Sequence, residues 1–525
     1  MKRLIYIVVF LFLPALSWAA CVGPTQSTVQ TAVGNASIGD TVTVCDGDAT
    51  WTATSQGCAG NTYLCSSKAI EIVGGTGTIT LSGTVTYGGI KFELAAASVT
   101  ADVPFGVSGF TFDGGGSTLT GEGVVSVKLD SYATEVTKLR IHDNTFNDFG
   151  GSAVIMVNGP AFGVVDNNTF TDCGGYTLRS MGGNLSGWAL TTKNGRVAKD
   201  RLPGHEDNLF FEDNLFNYTT SGQEYLTMWG QGAVGIVFRY NTYDLTNNTR
   251  YSTSVHDQHG LQTGSAMAWT AECSPGGSAY CGSSCTSCTG GYTCADSCDD
   301  TIDADAEWST VKSEFYGNYY GTDAAKAYTG KWLELRGSQT FFFNNKSINQ
   351  SGYPGNLSFS EFACDSTQTP ALQDGGSDYS QHIQNTYTFN NQVNGVEKAL
   401  TKSSDYCGDY AKTNPSPQVI TEDSEYFNYN ASCSGSGTCA SGVGIGATAP
   451  TGDCTTGTGF WVWSQGTTLP ATLADMKTYT QAGVFYKCTE TDTWTEYYTP
   501  YTYPHPLRDE AVAIPSNAIQ GVTIN

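Results

Sequence analysis

The sequence predicts an all-β solenoid: one long domain of stacked coils, each made of short strands and ended by a turn. Two observations predict it. The first is a slot that keeps returning. Arg-Ile-His-Asp-Asn-Thr-Phe, ending at Phe146, comes back as Val-Val-Asp-Asn-Asn-Thr-Phe, ending at Phe170, so Asn144 and Asn168 stand 24 residues apart. Asn214, Asn241, Asn318, Asn345 and Asn391 occupy the same slot, each between aromatic or β-branched residues. A period in the twenties, built of β-type residues and closed by a turn residue, marks a solenoid. The second is composition: 62 Gly, 29 Tyr and only 14% charged residues suit many short strands and turns.

Each slot is justified by backbone chemistry. Aromatic and β-branched residues fit a pleated, half-buried surface. Asn reaches the left-handed backbone region at low cost and bonds locally, so each slot Asn is expected to bend its strand within one residue. Stacking then brings the amides into a column about 4.8 Å apart, where each bonds the next. Over roughly residues 25–400 this pattern resembles the right-handed, single-stranded parallel β-helix of the pectate-lyase-like superfamily. The resemblance implies three parallel sheets around one apolar core, an Asn ladder at a tight turn, and work done on one long face flanked by loops. It implies no single activity, because that fold hosts lyases, hydrolases, adhesins and spikes.

In chain order, residues 1–20 read as a secretory signal. Lys2 and Arg3 form the basic start, Leu4–Leu13 the apolar run, and Ser17-Trp18-Ala19 the cleavage site. Trp18 fits a lipoprotein signal poorly, which argues against anchoring at Cys21. The apolar run is too short for a membrane span. Residues 21–400 form the solenoid. It starts with a short helix around Val29–Val33 as a cap, which the open end of a solenoid needs. Strands follow at Ile38–Val44, Ile70–Val73, Thr78–Leu81, Gly106–Phe112 and Val124–Leu129. The long gap between Asn241 and Asn318 holds a Cys-rich insertion at 273–298, read as disulfide staples rather than as a zinc site. Residues 401–525 are rich in Cys and aromatics and are expected to pack on the solenoid. The prolines of Tyr498–Leu507 exclude helix and central strand there, so this tail is expected to lie extended along the coils.

Net charge and cysteines set the address. A formal charge of −24 disfavours nucleic acid, whose binding rests on basic contacts. Seventeen cysteines in an exported chain imply disulfides, with one thiol left over. Cys21 with Cys45, and Cys58 with Cys65, are the local pairs the sequence offers. The expected location is outside the cell or on its surface.

Candidate chemistry comes from five segments that end in Gly: Val154–Gly159, Thr177–Gly182, Tyr225–Gly230, Val255–Gly260 and Trp332–Gly337. Aligned on that Gly, they are expected to be consecutive strands of one sheet. Alternation then sorts their side chains. Ile155, Val157, Leu178, Leu226, Met228, Leu333 and Leu335 face the core, with His256 and Gln258 on the same side. Two columns face out: Met156, Arg179, Thr227, Asp257, Glu334, and Asn158, Met181, Trp229, His259, Arg336.

This sorting nominates Asp257, His259, Glu334 and Arg336 as catalytic, and Arg179, Trp229 and Asn158 as substrate-binding. Two carboxylates about 5 Å apart suit retaining glycoside hydrolysis. The same pair can hold Ca²⁺, leaving Arg336 or His259 to take the proton beside a uronate carboxyl group. In a third version His256, Asp257 and His259 bind a transition metal. Asp303, Asp305 and Glu307 match the first positions of a Ca²⁺ loop, although Trp308 replaces its Gly. Phosphate-loop, nucleophile-elbow, HExxH and dinucleotide motifs are missing, as are the Arg-x-Pro-x-x-Arg and Gly-His-Gly signatures of pectate lyases and polygalacturonases. The expected function is cleavage or binding of a polysaccharide or cell-surface glycan. The alternative is a non-catalytic adhesin or fibre protein, for which self-association is the natural partner.

Overall fold

A computed structural model describes most of residues 21–181, 203–257, 312–359, 384–401 and 421–509. The chain winds as a parallel β-helix, as the slot pattern predicts. An eleven-stranded first sheet runs from Thr41–Thr43 to Tyr426–Asn428, and an eleven-stranded second sheet from Ala49–Thr52 to Val396–Glu397. A third, seven-stranded sheet runs from Leu64–Ser66 to Ser252–Asp257. Strands of successive coils pair in parallel, for example Thr145–Asn147 with Thr169–Thr171. The alternation of the sequence becomes alternation of burial. Phe112, Phe146, Phe170, Phe216, Tyr243 and Tyr320 point inward from the second sheet and stack at centroid spacings of 5.5, 5.2, 5.1, 4.8 and 4.7 Å. One ring per coil fills the core and adds offset stacking to its burial.

All seven slot asparagines join one ladder. From Asn168 to Asn391 each side-chain oxygen accepts from the backbone N–H and side-chain amide of the Asn one coil earlier, and that of Asn144 accepts from the Phe110 N–H; for Asn241 both distances to Asn214 are 3.0 Å. The side-chain N–H₂ of Asn241 donates to Asn318 at 3.1 Å and to the Phe211 carbonyl at 3.0 Å. The ladder asparagines are buried, so these bonds replace water that could not reach them. The bend itself is made one residue earlier than the sequence suggested. The left-handed residue is Asp143, Asn167, Asp213, Tyr240, Asn344 or Asn390, with φ between 54° and 59°, and Gly317 with φ 68°. The ladder Asn is therefore selected for its amide, and its neighbour for the turn. At Gly317 a Cβ would stand 2.6 Å from the buried Tyr240 ring, so only glycine fits there.

The first coil and the last ladder position are each closed. The helix Gln26–Asn35 buries Val29 and Val33 against the first coil. Its Gln30 amide bonds both the N–H and the carbonyl of Cys65, at 2.8 and 3.0 Å, as a neighbouring strand would. At the other end Asn391 finds no further Asn. Its N–H donates to the Glu397 carboxyl at 3.1 Å.

The expected disulfides Cys21–Cys45 and Cys58–Cys65 are present, with Cys433–Cys439 and Cys454–Cys488 beyond them. Cys173 is a buried free thiol. The Cys-rich segment 273–298 and residues 1–20 lie outside the described residues. Among the described residues no helix is long and apolar enough to cross a membrane.

The last described segment behaves as its prolines require. After a four-stranded sheet that ends with Thr493–Tyr498, the chain runs as an extended strap along the off-core side of the first sheet and closes with a single 3₁₀ turn, Pro506–Arg508. Tyr498, Tyr501 and Tyr503 pack among Phe210, Tyr240, Phe341 and Phe343. The late aromatic cluster is thus largely a packed closure.

Asn241→Ala strands two donors and two acceptors inside the core and should cost about 3 kcal/mol or more, read as a lower urea midpoint. Glu397 gives a pH signature. Burial raises its pKa to about 8, against hydrogen bonds from Asn391 and Asn390 that lower it. Its contribution is complete below the unfolded value of 4.5 and is lost as pH rises through about 8. Glu397→Gln should match the native protein in unfolding midpoint at pH 4 and exceed it at pH 9.

Candidate functional site

The third sheet holds the candidate face, and hydrogen-bonded register fixes which residues share it. Ile155, Val157 and Leu178 lie in the core cluster, so the alternate positions of these strands are on the off-core side. One off-core column reads Lys91, Ser126, Met156, Arg179, Trp229, His256. The second reads Glu93, Lys128, Asn158, Met181, Gln231. Neighbouring positions in a column are about 4.8 Å apart.

Two features of the expected columns are corrected. Between the strands Gly175–Met181 and Tyr225–Gln231 the register is two residues away from the Gly alignment, so Arg179 lies opposite Trp229 instead of Thr227. A shift of two preserves the face. The strand Ser252–Asp257 carries an irregularity where Leu226 pairs Ser252 but Met228 pairs Val255. One extra residue reverses every later side chain. His256 therefore moves to the off-core register opposite Trp229, and Asp257 falls opposite Gly230, in the core-side column of Val157 and Ser180.

The fifth expected strand is not part of this sheet. Lys331–Leu335, which carries Glu334, belongs to a separate three-stranded sheet with Asn356–Phe359 and Leu400–Thr401. It touches Ser252–Asp257 but shares no ladder with it, so no common register joins Asp257 to Glu334. His259, Arg336 and the acidic run with Asp303, Asp305 and Glu307 lie outside the described residues. Among the described residues no cluster of three His, Cys, Asp or Glu is placed to hold a metal.

At the N-terminal end of this face the polar groups are covered. Lys91 is wholly buried and pairs with Glu93 at 3.5 Å. Ser126 is also wholly buried, and its hydroxyl has no hydrogen-bond partner. Asn158 is 8% exposed and its side-chain oxygen is likewise unpartnered. Lys91, Lys128 and Glu93 are not among the residues the sequence nominates, and His256 enters there only as a metal ligand with Asp257 and His259. The signal for the first three was present: in Ile90-Lys-Phe-Glu93 and Val125-Ser-Val-Lys128 the polar residues alternate with core residues.

Asn158→Leu removes an acceptor that satisfies nothing. It should leave the thermal midpoint unchanged or raise it, in contrast to any ladder Asn; a fall of several degrees would show that Asn158 supports the coil.

No protein-family model matches the chain, and no curated protein matches it. Solved structures that match include the PL6 family alginate lyase AlyGC, at 10% identity and a TM-score of 0.29, over 78% of this chain and 51% of that one. A point mutant of the same enzyme matches over 77% and 50%, at the same identity and TM-score. The chain thus spans about half the length of these structures.

Proposed function

We propose that this protein binds and cleaves polysaccharide on the off-core side of its third sheet, by β-elimination next to a uronate carboxyl group. The observation that carries the reading is the column Met156, Arg179, Trp229, His256 in four consecutive hydrogen-bonded strands. It spans about 14 Å, a linear track suited to an extended chain. An indole offers a flat apolar surface to a sugar ring. A guanidinium pairs in two-point fashion with a carboxylate. An imidazole titrates near neutral pH and can accept a proton. In the reaction His256 takes the proton beside the carboxyl group, Arg179 holds that carboxylate, the C–O bond to the leaving sugar breaks as its oxygen takes a proton from water, and a C=C bond forms. Retaining hydrolysis needs two carboxyl groups on one face. It is less well supported, because position 257 is in core-side register. Ca²⁺ can assist by neutralising the same carboxylate.

The test is incubation of the purified protein with a panel of acidic and neutral polysaccharides, with Ca²⁺ and with chelator. Ultraviolet-absorbing unsaturated ends are expected. His256→Ala should lower kcat about 100-fold or more, and Trp229→Ala should act mainly on KM. Reducing ends without absorbance would mean a hydrolase. Failure to bind or cleave any polysaccharide would overturn the proposal in favour of an adhesin or fibre protein.

A further inference from the structure

We propose that the C-terminal strap, residues 499–509, is a clasp that mild acid releases, with His505 as its sensor. A network of polar groups holds its distal part. Arg239, wholly buried, donates to the carbonyls of Tyr501 and Thr502 at 2.6 and 2.9 Å. Arg140 donates to those of Leu507 and Arg508, both at 3.3 Å. Glu212 accepts from the His505 N–H at 3.0 Å and from Arg508 at 2.9 Å. Asp213 accepts from the Tyr503 hydroxyl at 2.6 Å and pairs with Arg508 and Lys477. Asp166 pairs with Arg140 at 3.1 Å and Arg508 at 3.2 Å.

His505 sits in the middle of this network. It is 5% exposed, with its ring 4.7 Å from Phe210 and 5.5 Å from Tyr501. Its Nδ1 accepts the Leu507 N–H at 3.2 Å and so caps the terminal 3₁₀ turn. An accepting ring nitrogen carries no proton, so the docked strap requires neutral imidazole. Protonation sets two donors against each other and adds a cation beside Arg140, Arg239 and Arg508. Of the surrounding carboxylates, Glu212 favours the charged ring; Asp166 and Asp213 are engaged by guanidinium groups, and Glu314 by the Tyr498 hydroxyl and the Gly204 N–H. Glu206 and Asp207 lie toward Tyr501. Tyr316 is engaged by Arg239.

The direction follows. Burial first, then the three arginines, depress the His505 pKa from 6.5 to about 4. Docking is therefore at full strength above pH 6.5 and weakens as pH falls toward 4; at pH 5 it should be about thirtyfold weaker. Glu212 and Asp213 titrate lower. Burial opposes their ionisation, but Arg239 and Arg508 around Glu212, and Lys477 and Arg508 around Asp213, hold both carboxyls below the usual range. Their pairs persist through pH 5. Asp166, whose carboxyl burial raises, loosens its Arg508 pair in the same direction as pH falls, and His505→Asn separates that contribution from the imidazole's. Release uncovers Phe210 and Arg239.

Hydrogen exchange on the full chain at pH 7.5 and 5.0, corrected for intrinsic rates, tests this. Amides of residues 499–509 should lose about thirtyfold protection, while the ladder coils Phe110–Phe170 stay unchanged. His505→Asn keeps an acceptor in place of Nδ1 and does not titrate, so its strap should remain protected at both pH values. Equal strap protection at both pH values in the native chain, or the same loss in His505→Asn, would overturn the proposal. If that variant fails to fold, NMR titration of the native imidazole decides: a midpoint near 4 supports the sensor, and one above 6 refutes it.

Discussion

From Asn144 to Asn391 one buried amide ties each coil to the next. A solenoid coil cannot bury its apolar face alone, and its turns expose backbone groups that the core would otherwise leave unsatisfied. Asn168 meets both needs. It bonds the backbone of its own coil and of the coil before, and it accepts from Asn144. The file of amides also sets the pitch. Because seven asparagines hold one spacing, the aromatic rings beneath them stack face to face, and three sheets can run in step around the same axis. The left-handed residue before each Asn, even a buried Tyr at 240, is tolerated because the ladder over-determines it.

The same regularity makes small departures consequential. In the third sheet one irregularity between Ser252 and Val255 exchanges the faces of two neighbours, taking His256 off the core side and Asp257 onto it. A side chain can change from scaffold to candidate reagent through a single inserted residue, with no change in composition. The result is a file in which guanidinium, indole and imidazole positions follow one another in a chain that is acidic overall.

Charge is handled differently on the first sheet. There Asp166, Glu212, Arg239 and Glu314 are almost wholly buried beneath the strap. Burial pushes Asp166 and Glu314 above the usual carboxylate range, although arginines oppose it at both and the Tyr498 hydroxyl opposes it at Glu314. Interior charges hold position only when geometry and hydrogen bonds compensate their lost hydration. The strap supplies that compensation with backbone carbonyls and with Arg508, so its attachment depends on register.

The coils are legible in local sequence. Seven recurrent asparagines, the cysteine pairs at 21 and 45 and at 58 and 65, and the prolines of the tail are local signals. Each follows from a residue's own backbone preference or from spacing of a few residues. Which positions share a face depends on how the coils stack. Pairing register between strands tens of residues apart is a property of the stack, and glycine is a poor marker of it: aligning on Gly230 and Gly260 misplaced His256 and Asp257. The separation of Glu334 into another sheet, and the burial of His505 beside Arg140 and Arg239 from distant coils, are likewise consequences of stacking and strap docking, which no short stretch of sequence encodes.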